Sequence, residues 1–410
     1  MVLKPLRDIY LFNPTCEYAT ANGHTSWMPN KLLTDMEKDM ATLPLFFAKP
    51  DDIVLVKQIP PSDYTKKLKL VGIDAPQFIL PERLFNNINL ITKNTGWLLP
   101  WGWSPSAHRF LSPLKQYCSE EFINSPVSEW TAEHRELYSK KFALDVQKNV
   151  IPKLPAKIMP PKRLEPVICS REDEIRLLIR KWGNLLIKAP WSTSGRGIQP
   201  VTRIPVVSQV WKKINGMIKQ QGYVIVEPFL DKKMDMALQF KIAGGKITCL
   251  GISRFFTDQK GQYQGNYLNG WSYDTDSETA SFADSLPTIL TDPLIETLEN
   301  SGLSRLYEGH FGVDTLIFCA DNQLKVNPCL EINFRYNMGL LSLNLEKLIK
   351  SDKKGTFRIS YDKRYSFSEF TQEMERRYPL VLKDSRIESG FFPLTPAPEK
   401  SKFGAYILVE

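Results

Sequence analysis

The chain has 410 residues, a formal net charge of +8, 42% hydrophobic and 24% charged residues. That length exceeds what a single core serves, so two or three lobes are expected, and the composition is that of a soluble globular protein. No apolar stretch opens the chain as a signal peptide and no window approaches the length of a membrane-spanning helix, so a protein without membrane-spanning helices is the expectation.

The basic balance suits an anionic ligand but reads as spread along the chain. Basic patches interleaved with aromatics, which would argue for nucleic acid, are not evident. The cysteines at 16, 118, 169, 249, 319 and 329 show neither CxxC pairing nor metal-ligand spacing. Several lie in apolar runs such as ITCLGI and LIFCAD, the pattern of buried free thiols in a reducing compartment. A cytoplasmic protein, with no nucleic-acid or membrane partner, is the expectation.

In chain order, DIYLFNP (8–14) reads as a strand, followed by a polar turn and a helix-like run to about residue 42. FFAKPDDIVLV (46–56) and KLVGI (69–73) read as further strands, so the N-terminal segment is expected to be a parallel α/β lobe. Its first strand-to-loop turn lies where ligands bind open parallel sheets. Glu17 and His24 are therefore substrate candidates, alongside the plainer reading that they satisfy a turn. GWLLPWGWSPSAHRFL (96–111) suits an inter-lobe packing joint better than a pocket wall, with His108 structural.

The proline-rich stretch 149–166 is a connection, since it cannot form a helix or central strand. Ser170 and Asp173 cap a helix through EIRLLIRKWG that stops at Gly183, and a second helix, 206–222, stops at Gly222. Residues 255–285 are polar and aperiodic, readable as a lid or acceptor-recognition insertion or as disorder. The tail, 355–410, regains strand character at 390–396 and 404–410 and is expected to add strands to the main sheet.

Within this frame lie three motifs. NLLIKAPWSTSGRGI (184–198) is an apolar run ending in Lys188, then a Ser/Thr/Gly loop whose backbone amides can close over phosphate oxygens. It is not a P-loop, because GxxxxGK[ST] is absent. YVIVEPFL (223–230) is an apolar strand closed by Glu227 and Pro228. In LEINFRYNMG (330–339), Glu331 and Asn333 are two apart and leave one face of a strand, where Asp314 of GVDTLIF (312–318) can join them. Alone, such residues are more often solvent-facing or capping groups. Together they suit magnesium carrying nucleotide phosphates rather than zinc or copper, which makes ATP the first ligand to consider.

The order of these parts resembles the ATP-grasp superfamily, most closely its carboxylate-amine ligases such as D-alanine:D-alanine ligase, over residues 135–350. The resemblance implies an ATP-grasp fold combining α/β and α+β parts. These are an N-terminal parallel α/β lobe (1–130), a small phosphate-covering subdomain (131–232), a larger magnesium-binding lobe (233–350) and a strand-adding extension (351–410). It implies an ATP-dependent ligase that forms an amide from small-molecule carboxylate and amine substrates, an amino acid or peptide among them, through an acyl phosphate. A phosphotransferase on the same fold, or a non-catalytic nucleotide-binding protein, is the alternative.

By the same carry-over, Lys140 or Lys141, with Lys141 preferred, and Lys188 contact the nucleotide phosphates. Ser194, Gly195, Arg196 and Gly197 lie in the covering loop. Glu227, with the backbone of Pro228, Phe229 and Leu230, holds the adenine, and Asp235, or less favourably Asp231, the ribose. Asp314, Glu331 and Asn333 hold Mg2+. The arginine often found two residues before the metal aspartate is replaced by Gly312, so Arg254 or Arg335 is the candidate for stabilising the transferred phosphoryl.

Overall fold

A computed structural model describes residues 6–87, 95–192, 197–258 and 261–410. Three sheets organise them. The first is parallel, in the order β3-β2-β1-β4, from β1 (Arg7–Leu11), β2 (Ile53–Leu55), β3 (Gln77–Ile79) and β4 (Thr95–Pro100). The expected strand at 69–73 is instead the end of a helix, Ser62–Leu70, and the turn after it. Tyr64 and Leu68 are four apart and both buried, so the helical period outweighs the short apolar run.

The second sheet is antiparallel, in the order β5-β8-β6-β7, from β5 (Val167–Cys169), β6 (Leu185–Lys188), β7 (Ile198–Val201) and β8 (Val224–Pro228). Helices Glu172–Trp182 and Ser208–Gln221 cover one face. Ile175, Ile179, Trp211, Ile214 and Met217 meet Ile187, Val224 and Val226 in one core. The first helix is capped at Arg171 with Glu174 reaching back to the backbone, not at Ser170 with Asp173, while Gly183 stops it as expected.

The third sheet has nine antiparallel strands. They are β9 (Asp231–Ala243), β10 (Lys246–Thr257), β11 (Tyr263–Leu268), β12 (Gly309–Ala320), β13 (Gln323–Asn333), β14 (Gly355–Tyr361), β15 (Val381–Lys383), β16 (Arg386–Pro393) and β17 (Phe403–Val409), in the order β13-β12-β9-β10-β11-β14-β17-β16-β15. The polar segment 255–285 is neither wholly lid nor loop. Its described part completes β10, forms β11 and opens the helix Ser277–Asn300.

Strand alternation separates two chemistries on this sheet. Met236, Leu238, Phe240, Val313 and Ile317 are buried in a core shared with the helices Lys140–Val150 and Ser277–Asn300, each such side chain contributing roughly 1.5–3 kcal/mol by burial. The intervening positions, Asp235 and Asp314 among them, face the other way. The N-terminal lobe is joined to this sheet through Trp101, whose ring lies 6.0 Å from that of Tyr336 and whose carbonyl accepts from Tyr336 N at 2.7 Å.

Candidate functional site

Asp314 of β12 lies directly opposite Glu331 of β13, and Gly312 opposite Asn333, so the two carboxylates and the amide share one patch of one face. Asp235 of β9 pairs in register with Leu316, on the same face. Asp314 is half-buried, and its carboxyl is pushed up to about 8, first by loss of solvent and next by the charge of Glu331, against the smaller opposing pull of Arg335 and Asn333. Lys140 pairs with Glu331 from the first turn of helix Lys140–Val150, and Arg335 Nη2 donates to Asn333 Oδ1 at 2.9 Å. Asp235 is held by Lys232 at 2.5 Å and Thr257 at 3.0 Å.

This donor set fits a hard divalent ion: two adjacent carboxylates and an amide oxygen, all hard oxygen donors, on one face of a strand pair. Asn333 would exchange its bond from Arg335 for the metal. Among the described residues no three of His, Cys, Asp and Glu gather around one point, so the amide is needed to complete a three-ligand set.

On the second sheet, Lys188 ends β6 and pairs with Glu227 of β8 at 2.5 Å, both largely buried. The loop that follows is anchored at its base: Trp191 Nε1 donates to Arg135 O at 2.9 Å, Trp191 N to Gln221 Oε1 at 2.9 Å, and Ala189 N to Gly197 O at 2.9 Å. Gly197 lies so close to Ser192 that a Cβ there would overlap its side chain, which accounts for the glycine. Ser194, Gly195 and Arg196 lie outside the described residues.

A cavity of about 540 Å³ opens beside the hinge, the passage from β8 to β9 at residues 227–230, and is lined by Gln147, Met159, Pro160, Glu227, Leu230 and Phe318 among others, mostly apolar with few polar groups. The proline-rich connection thus forms a wall of this cavity, a role that its composition alone does not signal. At the hinge, Pro228 and Leu230 line the cavity, whereas Phe229 is 55% exposed and its N–H donates to Asn184 O at 3.1 Å.

Two expectations are corrected by placement, and one lesser alternative is set aside. Lys141 points away, pairing with Asp145 at 2.8 Å one turn along its helix, and Lys140 is the lysine at the acids. Arg254 lies opposite Met236 in register and so on the helix-covered face of the sheet. It packs 5.2 Å from the Trp271 ring and pairs with Glu346, while Arg335 is the arginine beside the acids. Asp231 is exposed and pairs with Lys233.

Burial disfavours the charge of Arg335, but Glu17, Cys16 and Asp314 around it keep the guanidinium protonated. Its Nε donates to Glu17 Oε1 at 2.8 Å, which brings Glu17 of the N-terminal lobe to the edge of the site, whereas His24 is exposed. Gln239 and Asn337 were not singled out from sequence: Asn337 Nδ2 donates to Gln239 Oε1 at 2.9 Å, and its Oδ1 caps the helix Met338–Leu345. The Asn-Met-Gly run after the acidic motif was the signal for that cap.

No protein-family model and no curated protein matches the sequence. Solved structures do. Biotin carboxylase from Campylobacter jejuni, in a β-γ-ATP complex, is similar at 12% identity over 99% of this chain and 87% of that one, with a TM-score of 0.52. Phosphoribosylamine–glycine ligase from Thermotoga maritima is similar at 14% identity over 98% and 92%, with a TM-score of 0.50. Likeness at such identity speaks for architecture, and the architecture of this chain is the ATP-grasp fold.

Proposed function

We propose that this chain is an ATP- and Mg2+-dependent ligase joining a small-molecule carboxylate to an amine. The observation that carries this reading is the Asp314–Glu331 pair, two carboxylates in register on one face of the sheet with the Asn333 amide beside them. The Lys188–Glu227 pair and the hinge cavity support an adenine nucleotide, and a similar carboxylase of this fold was crystallised in a β-γ-ATP complex.

In this reading residues 131–232 cover the phosphates, 233–350 hold the metal, 1–130 contribute the substrate side and 351–410 extend the sheet. Asp314, Glu331 and Asn333 hold magnesium, which when bound draws charge from the phosphate oxygens. Lys140 and Lys188 turn from Glu331 and Glu227 towards phosphate, a stronger acceptor of charge-assisted bonds. Glu227 and the Leu230 backbone orient the base in the apolar cavity, with Asp235 towards the ribose. Arg335 stabilises charge on the transferring phosphoryl as a carboxylate oxygen attacks it, and an amine then displaces phosphate from the acyl phosphate.

No helix among the described residues is long and apolar enough to cross a membrane, and all six cysteines are free, which supports a reducing, cytoplasmic setting. The test is ADP formation against a panel of amino acids and peptides with 18O-labelled carboxylates. Amine-dependent turnover that moves 18O into phosphate supports the ligase. A stable phosphorylated product supports the phosphotransferase, and nucleotide binding without turnover supports the non-catalytic alternative.

A further inference from the structure

The positive charge of this chain is not spread along it. Between Glu174 and Glu227 there is no aspartate or glutamate and there are nine lysines or arginines, while the rest of the chain, with 44 basic and 45 acidic residues, is close to neutral. This acid-free stretch holds β6, β7 and the first part of β8, with most of the two helices that cover the second sheet.

Nucleotide phosphates do not account for it. β6 runs towards Lys188 and the glycine loop, and its start, Leu185, pairs with Val201 at the end of β7 and Pro228 at the end of β8. The end of helix Glu172–Trp182 with Arg180 and Lys181, the connection with Arg203, and the start of helix Ser208–Gln221 with Lys212 therefore gather at the end opposite Lys188, whereas Lys213 reaches back to Ile198 O, level with Lys188.

All four are exposed, and among the described residues none pairs with a carboxylate, nor do Lys213 and Lys219 farther along the second helix. The nearest acids in sequence, Glu172 to Glu174, lie at the far end of the first helix, bonded to Arg171, Arg176 and Asn215. Exposed aliphatic side chains accompany the cations: Leu177 at 61%, Ile204 at 66% and Val207 at 62%.

We propose that this end of the second sheet docks an acidic polypeptide segment whose carboxylates surround apolar residues. A single-sign surface attracts an oppositely charged partner and repels itself, and protein interfaces combine such charge with apolar contact. A nucleic acid would use stacking aromatics, but Trp211 is buried beneath Arg176, whose guanidinium lies 4.3 Å from the ring, and Trp182 at this end is half-buried, with its Nε1 bonded to Arg163 O and Lys181 5.3 Å from its ring. Three aliphatic side chains are few for insertion into a bilayer. The inference rests on charge and topology and stands apart from the nucleotide reading.

Fluorescence anisotropy of the intact chain with a labelled Glu- and Leu-rich peptide tests it, with an oligothymidylate and phosphatidylserine vesicles as competing probes. Binding to the peptide is expected to weaken as salt rises. It is also expected to weaken about tenfold or more in Arg180→Gln/Lys181→Gln/Lys212→Gln, whose altered side chains are exposed. The equal-charge control Lys69→Gln/Lys383→Gln/Lys400→Gln, outside the second sheet and its helices, is expected to bind as the parent does. Absence of peptide binding, equal weakening in the control, or tighter binding of either competing probe overturns the proposal.

Discussion

The second and third sheets present their charges differently. On the second, the buried cation Lys188 is answered by one carboxylate, Glu227, and the pair closes within the sheet. On the third, Asp314 and Glu331 face each other, with Lys140 arriving from a helix and Arg335 acting partly through Asn333. Burial then lifts the carboxyl of Asp314 to about 8, an imbalance that the second sheet does not have. Metal dependence should therefore reside in the third sheet and nucleotide affinity in the second.

The largest effect expected is at Glu331. Glu331→Gln removes a hard anionic ligand, so magnesium-dependent ADP formation should fall below detection while the melting temperature stays near that of the parent. Turnover at the parent rate would break the assignment of metal to the third sheet. Next comes Lys188→Ala, which deletes a charge-assisted contact of about 1.5–3 kcal/mol, an affinity loss of roughly 10- to 150-fold for ATP by calorimetry. Unchanged ATP affinity would remove the second sheet from the site.

What sequence made legible was order and periodicity. The two-residue spacing of Glu331 and Asn333 fixes a common face once the segment is a strand, and register with Asp314 follows from an antiparallel pair. The lysine of helix Lys140–Val150 was ambiguous because neighbouring residues on a helix point about 100° apart, and only the packing of that helix on β13 separates them. Arg254 failed for a related reason: its face depends on β10 register, which shifts between Cys249 and Gly251, and one position reverses the side chain. The charge excess was in plain view but was read over the whole chain, whereas its meaning depends on which acid-free residues share a sheet.

A perturbed titration does not by itself mark a site, and His108 sharpens the contrast with Asp314. It is buried against Trp103, ring centroids 4.3 Å apart, with neither ring nitrogen hydrogen-bonded, and burial first, then Lys115 and His134, lower it to about 3. The unfolded chain takes up this proton near pH 6.5 and the fold does not until about 3. Its contribution is thus fully present above 6.5 and is lost as pH falls, at up to about 1.4 kcal/mol per unit. His310, lowered to about 4 by burial and Lys241, adds in the same direction. Urea midpoints should drop between pH 6.5 and 4.5, and less steeply in His108→Phe; equal slopes would mean that His108 protonates without unfolding.

The smallest effect expected is at Lys141, and its smallness separates two neighbours that sequence could not. Lys141 is half-exposed and its partner Asp145 equally so, an i,i+4 surface pair of the kind that contributes about 0.3–0.5 kcal/mol. Lys140 is buried, with its Nζ against Glu331 and 3.5 Å from Ser192 O at the base of the loop. Lys141→Ala should therefore leave ATP affinity and turnover at parent values, while Lys140→Ala weakens both, because its loss strips Glu331 of its cation and the phosphates of a donor. The reverse ranking in a side-by-side titration would mean that helix Lys140–Val150 turns by one residue when nucleotide binds, and the division of labour between the two sheets would then have to be redrawn.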